Sequence, residues 1–238
     1  MPSSSDACAV LTAAGSGSRL GCELPKALVS LSGRPLLWWA ARGLRAGGVG
    51  TIVVTAPASC IAEFRAAIDG LDDVVVVAGS DRSRQASVAL GLAALGDRGA
   101  DTVVLVHDAA RPLTPPQVTA RVIGAVRAGA GAVIPVLPVT DTLKTVDASG
   151  LVTGTPRRAD LAAVQTPQGF RWDVLTCAHE AGASLGADEA VAATDDAGLV
   201  EAIGAAVYTV AGDERSLKVT RPLDLALARL LADEEQAD

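Results

Sequence analysis

Runs of apolar, often β-branched residues alternate along this chain with segments of helical spacing. That alternation restricts the fold more than any other feature. Ala7–Ala14, Thr51–Ala56, Val74–Ala78, Thr102–His107 and Ala132–Leu137 read as buried strands. Between them, Pro35–Ala46, Ser59–Ile68 and Ser83–Leu95 have helical patterns, as does a stretch opened by Pro115 and Pro116 that runs to about Ala128. Strands alternating with helices imply right-handed crossovers, so the expected class is α/β, with a mainly parallel sheet flanked by helices.

The rhythm breaks after Pro138. Thr140–Val146 and Leu151–Thr155 read as two short strands around the turn residues Asp147-Ala-Ser-Gly150. This hairpin, at about 139–157, is either an arm projecting from the body or an ordinary edge hairpin. Ala162–Gln165 and Ala206–Val210 resume as strands. Trp172–Ala183, Asp195–Ile203 and Pro222–Ala232 read as helices. With no internal repeat and no long linker, residues 1–238 are expected to form a single domain.

Aromatic residues make up only 3% of a chain that is 50% apolar, so the core must be built from Ala, Val and Leu. The net charge of -7 argues against non-specific binding to nucleic acid, while leaving room for a local basic pocket. The cysteines, Cys8, Cys22, Cys60 and Cys177, form no C-x-x-C pair and have only two histidines to help them, so no zinc site is expected. They read instead as reduced, mostly buried thiols. Residues 1–6 lack the basic start and apolar run of a signal peptide, and no run of about 18 apolar residues exists. A cytoplasmic protein that neither enters a membrane nor binds nucleic acid is the expectation.

Chemistry is suggested first by Leu11-Thr-Ala-Ala-Gly-Ser-Gly-Ser-Arg-Leu20. A buried strand runs into Gly15 and Gly17, where backbone N–H groups can approach a phosphate closely. Arg19 and Lys26 can add charge-assisted contacts to the same phosphates. A P-loop is excluded, because no Gly-Lys-Ser/Thr closes the loop. A dinucleotide fingerprint fails too, since Leu20 replaces its third glycine and Ala56-Pro57 stands where an acidic residue is needed. On pattern alone, the loop is equally readable as a plain turn.

The second constellation is Val106-His-Asp-Ala-Ala-Arg-Pro112, at the carboxyl end of a strand, where ligands bind in open α/β sheets. Asp108 offers a hard oxygen ligand for Mg²⁺, and Arg111 can hold an anionic substrate. His107 reads as structural rather than as a general base, and His179 carries no functional reading. Arg84 and Ser87 stand at the start of a helix, Arg157-Arg158 follows the hairpin, and Lys218 lies in Leu217-Lys-Val-Thr-Arg-Pro222. Each alone reads as a solvated charge or polar group, and gains meaning only by converging on one site.

Taken in order, these segments resemble the 2-C-methyl-D-erythritol 4-phosphate cytidylyltransferase family of the non-mevalonate isoprenoid pathway. Further anchors of the resemblance are Pro25-Lys26, Arg84-Gln-Ala-Ser-Val88, Asp141-Thr-Leu-Lys144, Gln165-Thr-Pro-Gln-Gly-Phe170 and Thr194-Asp-Asp196, and the likeness spans Ala9 to Leu227. It implies a Rossmann-like nucleotidyltransferase sheet and a homodimer clasped by the projecting β-hairpin arm. It also implies transfer of CMP from CTP, with Mg²⁺, to a sugar-alcohol phosphate. Ala13, Ala14, Gly15, Ser16 and Gly17 would cradle CTP, with Arg84 and Ser87 on its cytosine and ribose side. Arg19, Lys26 and Lys218 would be catalytic. Asp108 would serve the metal and the substrate, and Ala109, Arg111, Thr142, Arg158 and Thr166 would hold the acceptor. Where the family often has a Gly-Gly pair, Ala78-Gly-Ser-Asp-Arg-Ser83 has one glycine and an extra residue. A sister cytidylyltransferase for another polyol phosphate, such as ribitol 5-phosphate, shares most of these features, and a non-catalytic nucleotide-binding module shares the loop.

Overall fold

In a computed structural model of the chain, residues 7–15, 24–187 and 192–237 are described. The first strand, β1 (Ala7–Thr12), is followed by a small hairpin, β2 (Ser30–Leu31) and β3 (Arg34–Pro35), and then by α1 (Leu36–Ala46). Three further parallel strands come next: β4 (Val49–Ala56), β5 (Val74–Ala78) and β6 (Val103–Asp108). They are separated by α2 (Ile61–Ala67) and α3 (Arg84–Leu95). The second half adds α4 (Pro116–Arg127), β7 (Ala132–Pro138), a hairpin of β8 (Thr145–Val146) and β9 (Val152–Gly154), β10 (Ala162–Val164), β11 (Gln168–Arg171), α5 (Trp172–Ala181), α6 (Asp196–Ala202), β12 (Tyr208–Ala211) and α7 (Pro222–Ala237).

One sheet runs in the order β10-β7-β11-β6-β1-β4-β5, with β12 pairing parallel to β7. The four early strands are parallel, as the alternation of strand and helix requires. The sheet is mixed overall, because β11 runs antiparallel between β6 and β7, and β10 runs antiparallel to β7. Strand β11 is absent from the sequence reading. Its four residues are too few for a period-2 signal, and it includes Gln168 and Gly169, residues of low strand propensity.

Alternate residues of the central strands feed two cores. Ala9, Leu11 and Leu105 face α1, α2 and α4 through Leu37, Phe64 and Val122, while Cys8, Val10, Val104 and Val106 face α3, α5 and α6 through Val88, Leu175 and Leu199. Gly91 brings α3 close to the sheet. A Cβ there would run into Val10 Cγ1 and lie 3.1 Å from Thr55 Cγ2. Gly91→Val is therefore expected to lower stability by about 1–3 kcal/mol through overpacking, as read from urea unfolding.

Two expectations need correction. The hairpin strands are shorter than Thr140–Val146 and Leu151–Thr155, and β8 and β9 form a separate two-stranded sheet with exposed residues. No core lies beneath them to extend the pairing. The thiols are also less buried than expected: Cys8 is buried, but Cys60 is half-buried and Cys177 is exposed on α5, while Cys22 lies outside the described residues. Among the described residues no helix is long and apolar enough to cross a membrane.

Candidate active site

The strand order creates the site. From β1 the chain moves to β4 and β5 on one side and then crosses to β6 on the other. The switch leaves a crevice at the carboxyl ends of β1 and β6, where Thr12 and Asp108 are register partners. A cleft of about 570 Å³ opens there, a volume within the range of nucleotide and drug-sized sites. Its walls are the 12–15 segment after β1, Lys26, the 80–84 turn before α3, Asp108–Ala110 after β6, and Lys218 with Thr220. A second concavity, of about 440 Å³ and lined by Trp39, Arg42 and Pro115 among others, holds none of the residues singled out as binding or catalytic.

Asp108 is the centre of the cleft's charge. Its Oδ1 accepts from Thr12 Oγ1 at 3.2 Å and from Arg84 Nε at 3.2 Å, and its Oδ2 meets Lys218 Nζ at 2.7 Å. Burial alone would raise its pKa, but Arg84 and Lys218 outweigh that and hold the carboxyl far below the usual range. Arg84 continues the chain, with Nη1 donating to Asp196 Oδ2 at 2.7 Å. Burial opposes its charge, yet Asp196 and Asp108 together raise its pKa. Lys218 is held in place by the backbone: Val219 N–H donates to Ala110 O at 2.8 Å, and Arg111 Nη1 donates to Ser216 O at 2.6 Å.

The helix start is equally constrained. Ser83 caps α3, its Oγ accepting from Ala86 N at 3.0 Å and donating to Gly186 O at 2.7 Å. Ser87 Oγ accepts from Ser80 N at 3.0 Å and so fixes the 80–83 turn over the cleft. The single glycine of that turn, Gly79, sits where a Cβ would lie 3.3 Å from the Ala14 Cβ and 3.2 Å from Ser87 Oγ, so the turn packs directly on the loop after β1.

Ala13, Ala14, Gly15, Lys26, Arg84, Ser87, Asp108, Ala109 and Lys218 therefore line one cleft. Ser16, Gly17 and Arg19 lie outside the described residues. Four proposed acceptor residues do not line it. Arg111 is turned to the backbone oxygens of Ser216 and Val164. Thr142 and Arg158 are exposed near the hairpin, and Arg158 donates to Thr140 O at 3.1 Å. Thr166 is buried, and its hydroxyl accepts from Asp108 N at 3.1 Å and bonds His107 Nδ1 at 2.8 Å. Burial pushes the His107 imidazole down to about 4, so it is neutral near pH 7 and steadies Thr166, in line with its structural reading. Sequence reasoning assigned no role to Thr12, Asp196 or His179, although Thr12 ends the strand beside Asp108 and Asp196 belongs to an anchor of the family resemblance.

Alternating carboxylates and cations at a strand-end crevice form the kind of site that a group-transfer enzyme working on phosphates needs. The family model described as "IspD: 2-C-methyl-D-erythritol 4-phosphate cytidylyltransferase" matches residues 7–234. Proteins of that name from Nocardia farcinica and Rhodococcus jostii are each 50% identical to the chain, over 96% and 95% of it respectively and over 95% of their own lengths. The crystal structure of the Thermus thermophilus protein of that name superposes with a TM-score of 0.75 at 34% identity, covering 96% of this chain and 99% of that one. That of a 4-diphosphocytidyl-2C-methyl-D-erythritol synthase from Anaerococcus prevotii gives a TM-score of 0.81 at 26% identity, covering 97% of each chain. The chain belongs to the 2-C-methyl-D-erythritol 4-phosphate cytidylyltransferase family.

Proposed function

We propose that the cleft holds CTP and the acceptor's phosphate side by side, and that the whole chain works as one cytidylyltransferase domain. The reaction transfers CMP from CTP to 2-C-methyl-D-erythritol 4-phosphate. It gives 4-diphosphocytidyl-2-C-methyl-D-erythritol and pyrophosphate, in non-mevalonate isoprenoid precursor biosynthesis. The match over residues 7–234, five of whose eight anchor segments meet in one cleft, carries this reading.

An acceptor phosphate oxygen attacks the α-phosphorus of CTP in line. The bond from that phosphorus to the bridging oxygen breaks, and pyrophosphate leaves with the electron pair. The nucleophile is already anionic near neutral pH, so no side chain has to remove a proton. The protein must hold two polyanions together and stabilise charge as it develops. Ala13 to Gly17 and Arg19, Lys26 and Lys218 serve the triphosphate, Arg84 and Ser87 the nucleoside end, and Asp108 and Ala109 the acceptor end, with Arg111 and Thr166 fixing the turn that presents them. Thr142 belongs to the arm, and Arg158 follows it at the start of the 3-10 turn Arg158–Asp160. The exposed apolar Leu143, Val146, Leu151 and Val152 suit the arm to clasp a second copy, and a homodimer would bring these two residues to the partner's cleft.

Among the described residues no cluster of His, Cys, Asp and Glu side chains forms a ready metal cage. One buried carboxylate facing the cleft nevertheless fits Mg²⁺, which is commonly bound by one or two carboxylates together with substrate phosphates. Asp108 would hold it, and the ion would draw negative charge from the phosphates. Excess EDTA is expected to stop turnover without lowering the thermal midpoint, because no structural cage among the described residues depends on the metal. Differential scanning fluorimetry beside a pyrophosphate assay checks both halves.

The acceptor is tested by pyrophosphate release from CTP with methylerythritol 4-phosphate and with ribitol 5-phosphate. The first is expected to support turnover. Faster release with the second would assign the chain to the sister reaction, and CTP binding without release on either would make it a nucleotide-binding module.

A further inference from the structure

The chain of charge runs deeper than the transfer itself uses. Behind Arg84 stands Asp196, in Thr194-Asp-Asp196, with only 1% of its surface exposed. His179 Nε2 bonds its Oδ1 at 2.9 Å. His179 Nδ1 has no hydrogen-bond partner among the described residues, which suits the tautomer that donates from Nε2. Gln168, fully buried, accepts at Oε1 from Asp196 N at 3.2 Å and Ala197 N at 3.1 Å, and its Nε2 donates to Asp195 Oδ2 at 2.8 Å. Asp195 in turn caps α6, accepting from Gly198 N at 3.0 Å. Two segments, Gln168 and Asp195-Asp196, are thus built into a rigid seat for one carboxylate.

A seat of this kind has a consequence for Arg84. Facing a single carboxylate, a guanidinium closes on it bidentately and takes both oxygens. Here Arg84 is divided, with Nη1 on Asp196 and Nε on Asp108. Closing fully on Asp108 would engage Oδ2, the atom that holds Lys218. We propose that Asp196 is a positioning residue for the transfer: it keeps Arg84 shared between two carboxylates, so that Asp108 retains one oxygen for Lys218 in the cleft. A purely stabilising ion pair would not need this geometry, since buried pairs are weak stability devices. The inference rests on the reading above that Asp108 and Lys218 stand at the reacting phosphates.

The test is a double-mutant cycle measured as turnover per folded enzyme. Asp196→Asn, which keeps size and removes charge, is expected to lower kcat by about 10–100-fold with KM for CTP nearly unchanged. On an Arg84→Gln background the same change is expected to cost less than about twofold, because its route of action is already gone. Equal losses on both backgrounds, or an Asp196→Asn enzyme with normal kcat, would overturn the proposal. Should a variant of this cycle fail to fold, His179→Gln decides. It loosens the seat alone and is expected to lower kcat in assays run at temperatures well below the thermal midpoint, whereas a lowered midpoint with unchanged kcat would mark the cluster as merely structural and overturn the proposal. Wild-type enzyme measured alongside separates the two levels: transfer without coupling rejects the positioning role only, and absence of transfer rejects the reading beneath it.

Discussion

Lys218→Ala is expected to fold as the parent does and to lose about 10²–10³ of its turnover, or roughly 3–4 kcal/mol of transition-state stabilisation, with little change in KM for CTP. The side chain is 43% exposed, so its removal leaves no buried cavity. Asp108 would keep Arg84 and Thr12 as partners, so the carboxylate is not abandoned. What disappears is a cation fixed in advance at the cleft, held at one end by Asp108 and along its backbone by the Val219–Ala110 hydrogen bond. A charge already in place costs no reorganisation when the pentacoordinate transition state forms. Steady-state kinetics with circular dichroism as the folding control measures this directly. Unchanged turnover with weaker CTP binding would place Lys218 in ground-state binding instead.

Lys26→Ala is expected to cost a similar 10²–10³, but to raise KM for CTP as well, because this lysine serves phosphates that are charged before and after the reaction. Lys26 opens the short 3-10 turn Lys26–Leu28 at the cleft wall, where Ala27 and Val29 are buried and anchor the backbone beneath it. The anchor residues remain in the variant, so the fold should survive. Lys26→Arg is expected to recover only part of the loss, since a planar fork cannot replace a compact ammonium without moving the phosphates. Near-normal kcat/KM in Lys26→Ala would remove this residue from the triphosphate site.

Strands β1, β4 and β6 were legible because they are covered on both faces and so are rich in continuous apolar residues, and the edge strand β5 was legible from its run of valines. Asp108 could be placed at the carboxyl end of such a strand, where ligands bind in open sheets, but the strand order that opens the crevice there came only with the fold. In the antiparallel half β7 and β10 were legible as apolar runs, but β11 was not. Strand β11 owes its place to pairing with β6 and β7 and to packing under α4, where a Cβ on Gly169 would run into Val122 Cγ1 and lie 3.4 Å from Val126 Cγ2. None of that leaves a periodic trace in four residues. The charge chain was hidden for a different cause. Arg84 reaches Asp108 across 24 residues of sequence and Asp196 across 112, and each looks on its own like an ordinary surface charge. His179 carried no signal at all until α5 packed beside α6 and brought its ring to Asp196. Arg111 and Thr166 show the converse. Their residue types suit phosphate binding, but in the folded chain their polar atoms bond Ser216, Val164, His107 and the Asp108 backbone, where they shape the turn that presents Asp108.

The claim on which everything else depends is that bond formation occurs at the α-phosphorus of CTP. Phosphorus NMR of a reaction containing CTP, methylerythritol 4-phosphate and Mg²⁺ tests it most directly. The expected spectrum shows the acceptor's monoester signal replaced by a coupled pair of diphosphate-diester signals, with one inorganic pyrophosphate formed per acceptor consumed. Formation of CDP together with a doubly phosphorylated acceptor would place the attack at the γ-phosphorus and contradict the assignment.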